Sequence, residues 1–165
     1  MGITYVSRAV APLGRMFRLN EYFFTQSLNG LCEDDLWRRP AENANPMLWV
    51  AGHMADTRAF VPKILGEEFE LPWGDQFKRY SKVSQSSDYP GMAEIQSTMT
   101  GISAKISTLL ANVTDETLYK PATGVGVPNA KTVMDEISQL AWHDSYHLGQ
   151  MGYVRVALGF PGIVG

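Results

Sequence analysis

The stretch AKTVMDEISQLAWHDSYHLGQMGYVRVAL, residues 130–158, carries the helical period that decides the fold. Its inward-facing positions recur every three or four residues and are Leu140, His143, His147, Gln150 or Met151, and Val154. This spacing places them on one face of an α-helix. The helix is predicted to begin at Asn129 or Ala130, and Gly159 and Pro161 end it.

Three earlier segments have the same period, and they are predicted as helices over residues 9–29, 46–66 and 91–112. Asn45 is the expected N-cap of the second helix, and Pro62 is expected to kink its last turn. The connection 67–90 could cover one end of a pocket or be an ordinary crossover. Because no convincing alternating strand occurs, the sequence predicts one all-α domain over residues 1–165, a four-helix bundle. Short strands in the glycine-rich loop, at residues 123–127, would be minor.

Charge and composition argue against several classes of protein. The 14 basic and 17 acidic side chains give a formal charge of -3 and are spread along the chain, so no nucleic-acid-binding surface is expected. No uninterrupted apolar run approaches the roughly 18 residues of a membrane span, so no membrane partner is expected. Cys32 is the sole cysteine, which excludes an internal disulfide. Together with the absence of a signal-peptide pattern, it predicts a reducing, cytoplasmic compartment.

The chain contains three histidines, and each lies on the apolar face of a predicted helix. His143 and His147 are four residues apart, so their rings lie one turn apart on the same face. Burial removes water from neutral imidazoles, and bonds to a cation would more than offset that loss. We therefore expect His53, His143 and His147 to bind one divalent transition metal and to leave coordination positions open. The alternative is three hydrogen-bonded core histidines.

Candidates for orienting these ligands or lining a pocket are Asn20, Trp49, Asp56, Tyr146 and Gln150. Asp56 follows His53 by three residues, so it could orient that ring or be a solvated surface charge. Asp144 points about 100° away from His143, which favours the surface for its carboxylate. Glu136, seven residues before His143, is a weaker candidate.

Two further expectations concern aromatic residues and the cysteine. Trp49, Trp142 and Tyr146 bracket the histidines in sequence and could form the wall of a pocket, although packing in the core is the commoner role of such residues. Cys32 follows the first helix and is expected to be a small buried hydrophobe, not an activated nucleophile.

Two motifs carry a resemblance to a known family. NPMLWVAGHMAD at residues 45–56 and HDSYHLGQ at residues 143–150, in this order and spacing, resemble the DinB/YfiT-like superfamily over almost the whole chain. The ending VRVALG at residues 154–159 is also similar. The resemblance implies an up-down-down-up bundle and a zinc, nickel or iron ion bound by His53, His143 and His147. It also implies that a homodimer is an option, since some members are dimers.

The resemblance further implies a thiol cosubstrate, since a subset of members are transferases or isomerases that use bacillithiol, mycothiol or glutathione. The maleylpyruvate isomerase-like branch usually has glutamate at the position of His143, so this chain is closer to the three-histidine, bacillithiol-transferase-like branch. The first hypothesis is a metal-dependent enzyme, either a low-molecular-weight-thiol S-transferase or a hydrolase acting on a small molecule. The second is a non-catalytic binding or stress-response module that its metal stabilises.

Overall fold

A computed structural model describes residues 3–79, 81 and 88–164 of the chain. A short 3₁₀ turn, Arg8–Val10, leads into the first helix. The helices are α1 (Ala11–Leu28), α2 (Glu33–Trp37), α3 (Met47–Arg58), α4 (Phe60–Ile64), α5 (Met92–Asn112), α6 (Asp115–Leu118) and α7 (Val133–Ala157). No strand occurs among these residues, and one isolated antiparallel bridge joins Pro121 to Thr132. The all-α prediction is confirmed, while the up-down-down-up order stays a prediction.

The four regions predicted as helices pack around one core. Both α1 and α3 contact α5 and α7. The core side chains that fill the space between them are fully buried and include Phe24, Met54, Ile102, Leu110 and Ile137. Burial of this apolar surface is the main force that holds the helices together. The contact between α3 and α7 matters most for function, because these helices carry the three histidines.

Two helix boundaries differ from the prediction for identifiable reasons. The second predicted helix is divided into α3 and α4 at Ala59. Pro62 has no N–H to donate to the carbonyl of Arg58, so the helical ladder is interrupted there. The last helix begins at Val133, later than predicted, because the Thr132 side chain caps it and Asp135 completes a reciprocal capping box.

Among the described residues, every helix is too short or too polar to cross a membrane.

Candidate metal centre

The three histidines converge where α3 packs against α7. Their ligand-type nitrogen atoms all lie within 4.8 Å of one another. The ring centroids of His143 and His147 are 4.3 Å apart, and that of His53 is 4.9 Å from His147 and 5.4 Å from His143. His53 and His147 are buried, and His143 is partly exposed. The helical spacing and the packing of the two helices therefore bring together the three rings that the sequence predicts as ligands.

Hydrogen bonds at Nδ1 fix the orientation of two of these rings. Nδ1 of His53 lies 2.6 Å from the carbonyl oxygen of Phe77, an atom that can only accept. Nδ1 of His147 lies 2.7 Å from Oε1 of Gln150, which is also an acceptor. Both Nδ1 atoms therefore carry the ring proton, which leaves a lone pair on each Nε2. This is the arrangement in which histidine binds metal through Nε2.

The third ring is oriented by Thr57. Its hydroxyl oxygen lies 2.9 Å from the backbone carbonyl of His53, to which it donates, and 3.3 Å from Nδ1 of His143. With its proton used in this way, the hydroxyl accepts from Nδ1 of His143. The Nε2 atoms of His143 and His147 are then both unprotonated and only 3.0 Å apart. Two facing lone pairs repel each other, and a cation bound to both would relieve that repulsion.

Burial also keeps the imidazoles neutral. Loss of water, together with the neighbouring His147 and His53, lowers the pKa of His143 to about 3. Burial likewise lowers the pKa of His147 to about 4, against the hydrogen bond to Gln150, which raises it. The pKa of His53 is lowered by burial as well. All three side chains are therefore in the form that a metal requires near neutral pH.

The donor set fits a divalent transition metal. Zinc, nickel, iron and copper all accept imidazole nitrogen, whereas calcium and magnesium prefer oxygen. Three neutral ligands leave the full charge of the ion uncompensated, and a site with three protein ligands retains a position for water or substrate. The part of the chain that the structure describes has no other group of three histidine, cysteine or acidic side chains with ligand atoms this close.

The histidines line an open cleft of about 720 Å³. Its other walls combine aromatic side chains, charged side chains and one loop: Trp49, Phe60, Trp142, Tyr146, Asp56, Lys78, Arg79 and residues 126–128. The cleft is therefore large enough for a small molecule beside the imidazoles.

Four of the five candidate pocket residues line this cleft. The Trp49 ring stacks on His53 with centroids 4.9 Å apart. The Tyr146 ring meets His147 edge-on, and its hydroxyl accepts a hydrogen bond from Nε2 of Gln150. Trp142 and Tyr146 are both about half exposed, at 59% and 51%, so they belong to the cleft wall and not to the core.

Asp56, which lines the cleft, and Asn20, which does not, have roles other than those expected. Asp56 is neither a solvated charge nor a partner of a histidine: it is only 6% exposed, and the carbonyl of Phe77 takes the place proposed for it. Asn20 is buried but lies away from the cleft. Its Nδ2 donates to the carbonyl of Ala141 and to Ser145, so it joins α1 to α7.

The prediction of a surface position for Asp144 is wrong. Asp144 is 1% exposed, and its Oδ2 accepts a hydrogen bond of 2.8 Å from Nε of Arg58, which is fully buried. The same guanidinium donates to the carbonyl of Phe17 and to Ser103, so Arg58 connects α1, α3, α5 and α7. α7 is therefore buried on a second face, and Asp144, about 100° around the helix from His143, lies on that face.

Cys32 and Glu136 also differ from expectation. Cys32 is exposed, because it precedes α2 and its thiol donates to the carboxylate of Asp35. Glu136 is fully buried but does not contact a histidine. Its carboxylate accepts hydrogen bonds from the backbone N–H groups of Thr123 and Gly124 and from the Thr123 hydroxyl. Glu136 therefore anchors the loop whose residues 126–128 line the cleft.

Two contributors to the site, Phe77 and Thr57, are absent from the predictions, and so is the core residue Arg58. Phe77 acts through its backbone carbonyl, which no sequence motif marks. Thr57 lies four residues after His53, on the same helix face, so its spacing was an available signal. Arg58 had a weaker signal, as an arginine within an apolar segment.

Helices, an open cleft and three converging imidazoles define the class of this protein: a helical bundle with a three-histidine site. A model of the DinB superfamily matches residues 17–151, a span that includes all three histidines, and the chain belongs to this superfamily. A solved structure, described as a conserved protein from Enterococcus faecalis, has the same fold, with a TM-score of 0.72 and 12% sequence identity. The match covers 92% of this chain and 98% of that one. No curated protein matches the chain.

Proposed function

We propose that this protein binds one zinc, nickel or iron ion through His53, His143 and His147 and transfers a low-molecular-weight thiol to a small electrophile. The observation that carries the proposal is the convergence of three neutral imidazoles, each with its Nδ1 occupied, at an open cleft. A bound divalent ion would supply positive charge that lowers the pKa of a coordinated thiol.

The residues of the cleft have separate tasks in this proposal. The oxygens of Phe77, Thr57 and Gln150 hold the imidazoles in one orientation, so the ligand set is prepared before the substrate enters. The aromatic walls contact the carbon skeleton of the electrophile and displace water from it. In the transfer, the thiol releases its proton to solvent water, its sulfur bonds to the electrophilic carbon, and the bond from that carbon to the leaving group breaks, with the leaving group taking the electron pair.

Hydrolysis is the neighbouring reaction at the same site, because a cation that acidifies a thiol also acidifies water. The two reactions differ in their need for a cosubstrate. Product formation that depends on added thiol supports transfer, whereas turnover of an ester or amide without thiol supports hydrolysis.

The experiment is an activity screen of metal-loaded protein with a panel of thiols and electrophiles, beside His147→Ala. The control is Glu116→Gln, a change of an exposed residue far from the histidines in sequence. We expect activity in the parent protein and the control, and its loss in His147→Ala. Activity that His147→Ala retains in full would remove the metal from the mechanism.

A second candidate is a non-catalytic binding or stress-response module. One observation favours it: the groups bonded to the imidazoles are a carbonyl, an amide and a hydroxyl, none of which is a general base near neutral pH. In that case the metal would serve to join α3 to α7. Chelation would then lower the melting temperature strongly, and no small molecule would compete for the open coordination positions.

A further inference from the structure

Asp56 is a largely buried residue at the edge of the cleft of the histidines. It is 6% exposed and, among the described residues, it accepts no hydrogen bond and forms no ion pair. The nearby cation, Lys78, pairs with Asp75 at 2.6 Å, so these two charges largely cancel each other. The carboxylate opens onto clefts and not into the sealed core, and a carboxylate in such a largely buried position is stabilised when a donor or cation meets it. Asp56 therefore requires an explanation that the metal site does not provide.

Asp56 lies at the boundary between two clefts. One is the cleft of the histidines, and the other has a volume of about 540 Å³. Asp56, Phe60 and Lys78 line both, so the two clefts adjoin. The second cleft has apolar walls, formed by Ala59, Phe69 and Leu71. Its rim is charged and acidic on balance, because Glu68, Glu70 and Asp75 outnumber Lys63 and Lys78. A molecule bound at the histidines can extend past Asp56 into this second cleft.

The surroundings of Asp56 suit an ammonium group better than a second metal ion. A metal requires several donor atoms at one point, and among the described residues only the three histidines form such a group. The rings of Phe60 and Phe69 and the side chain of Leu71 offer apolar contact to an alkyl arm, and an aromatic face also attracts a cation. The acidic rim adds a potential that attracts positive charge.

We propose that Asp56 binds the ammonium group of the ligand, so that the thiol used by this protein carries a primary amine. This assignment rests on the proposed function, because the other end of the ligand is the sulfur at the histidines. Asp56 follows His53 by three residues, which is a rise of about 4.5 Å along α3. An arm of roughly two to four carbons between sulfur and nitrogen spans such a distance.

The test compares matched thiols on the cobalt(II)-loaded protein. The pairs are 2-aminoethanethiol with 1-propanethiol, and 3-aminopropanethiol with 1-butanethiol, each pair equal in chain length. Binding is followed by the near-ultraviolet absorption of the cobalt–thiolate bond at constant ionic strength. The same titrations are made on Asp56→Asn, which preserves the shape of the side chain. Glu116→Gln is the control, because it removes an exposed carboxylate that lines neither cleft.

The preference of a protein is its affinity for the aminothiol divided by its affinity for the paired alkanethiol. The measured quantity is the preference of the parent protein divided by that of the variant, because the intrinsic acidity of each thiol cancels in this ratio. We expect about a tenfold value for Asp56→Asn with the best-matched arm, and a value near one for Glu116→Gln. A ratio near one for Asp56→Asn with both pairs would overturn the proposal. An unchanged cobalt spectrum in the variant shows that the site is intact.

Failure of the proposed function gives a different result. If no thiol binds to cobalt in the parent protein, the transferase assignment fails, and n-butylammonium is titrated instead. Saturable shifts of backbone amide resonances around Asp56, present in the parent protein and absent in Asp56→Asn, support an amine site without thiol chemistry. Absence of such shifts in the parent protein overturns the amine site as well.

Discussion

The ring of Phe77 occupies the space that a β-carbon on Gly52 would need. A β-carbon built on Gly52 would lie 2.3 Å from the ring, far inside van der Waals contact, and Phe77 is fully buried. The carbonyl of the same Phe77 accepts the Nδ1 proton of His53, the residue after Gly52. The absence of a side chain at Gly52 therefore allows the 67–79 segment to approach α3 and orient a histidine.

Gly52→Ala should consequently weaken metal binding. We expect a loss of about 10–100-fold in affinity, as for other changes to groups that orient a ligand, and a destabilisation of about 1–3 kcal/mol from overpacking. Gly149→Ala is the matched control, because a β-carbon at that helical glycine meets nothing within 4 Å. Titration with zinc and thermal unfolding measure the two effects. A folded Gly52→Ala protein with unchanged zinc affinity would refute the coupling through Phe77.

Asp56 should give the metal-free protein a distinctive pH dependence. Burial raises the pKa of Asp56 from 3.8 in the unfolded chain to about 6, against the opposing charge of Lys78. Between these values the folded protein holds a proton that the unfolded chain releases, so this group favours folding at low pH and loses that contribution as the pH rises through 6. The melting temperature of Asp56→Asn relative to the parent protein should therefore increase from pH 4 to pH 7.

The comparison with Asp56→Asn isolates one group, because the buried histidines contribute equally to both proteins. Differential scanning calorimetry with excess chelator at pH 4, 5, 6 and 7 supplies the measurement. A difference in melting temperature that stays constant over this range would show that Asp56 titrates normally.

Breaking the Arg58–Asp144 pair should lower the free energy of unfolding strongly, whereas replacing both residues by apolar ones should lower it much less. Both side chains are buried, so Arg58→Met leaves an unpaired carboxylate and should destabilise the protein by about 3–5 kcal/mol. Arg58→Met combined with Asp144→Leu removes both charges and should recover much of this loss. Lys105→Met, which breaks a partly exposed pair with Glu67, should cost at most about 1 kcal/mol. Urea unfolding measures these variants and Asp144→Leu alone, and a double variant as unstable as the sum of its two single changes would count against the pairing.

Glu136 should hold the loop at the mouth of the cleft without affecting the metal. Glu136→Gln replaces an acceptor oxygen by an amide that faces the N–H groups of Thr123 and Gly124, which should cost about 1–3 kcal/mol. Hydrogen exchange in residues 123–128 should accelerate while zinc affinity stays the same. Glu116→Gln, a change of an exposed carboxylate, is the control. Equal exchange rates in both variants would show that Glu136 does not anchor the loop.

Periodicity alone was sufficient to predict the four longer helical regions and the shared face of His143 and His147, because both follow from local geometry. It did not predict the short helices α2 and α6. It also placed His53 on an apolar face, although its partner Phe77 lies 24 residues away in an irregular connection. A backbone carbonyl has no identity in the sequence, so no pattern could predict this hydrogen bond.

The error at Asp144 has a different origin. The prediction considered one buried face of α7, whereas α1 and α3 both pack against this helix. Asp144 lies four residues from both Leu140 and Leu148, which are buried. Residues spaced by four lie on the same side of a helix, so this spacing indicates a buried position for Asp144. Its partner, Arg58, becomes visible only when α3 and α7 are placed side by side.

X-ray absorption spectroscopy of the untagged, zinc-loaded protein tests the central claim most directly. With one zinc bound per chain, the spectrum should contain the scattering pattern of three imidazoles with Zn–N distances of about 2.0–2.1 Å, and His147→Ala should remove one of them or abolish binding. A spectrum with fewer than three imidazoles in the parent protein, or one unchanged in His147→Ala, would contradict a site built from His53, His143 and His147.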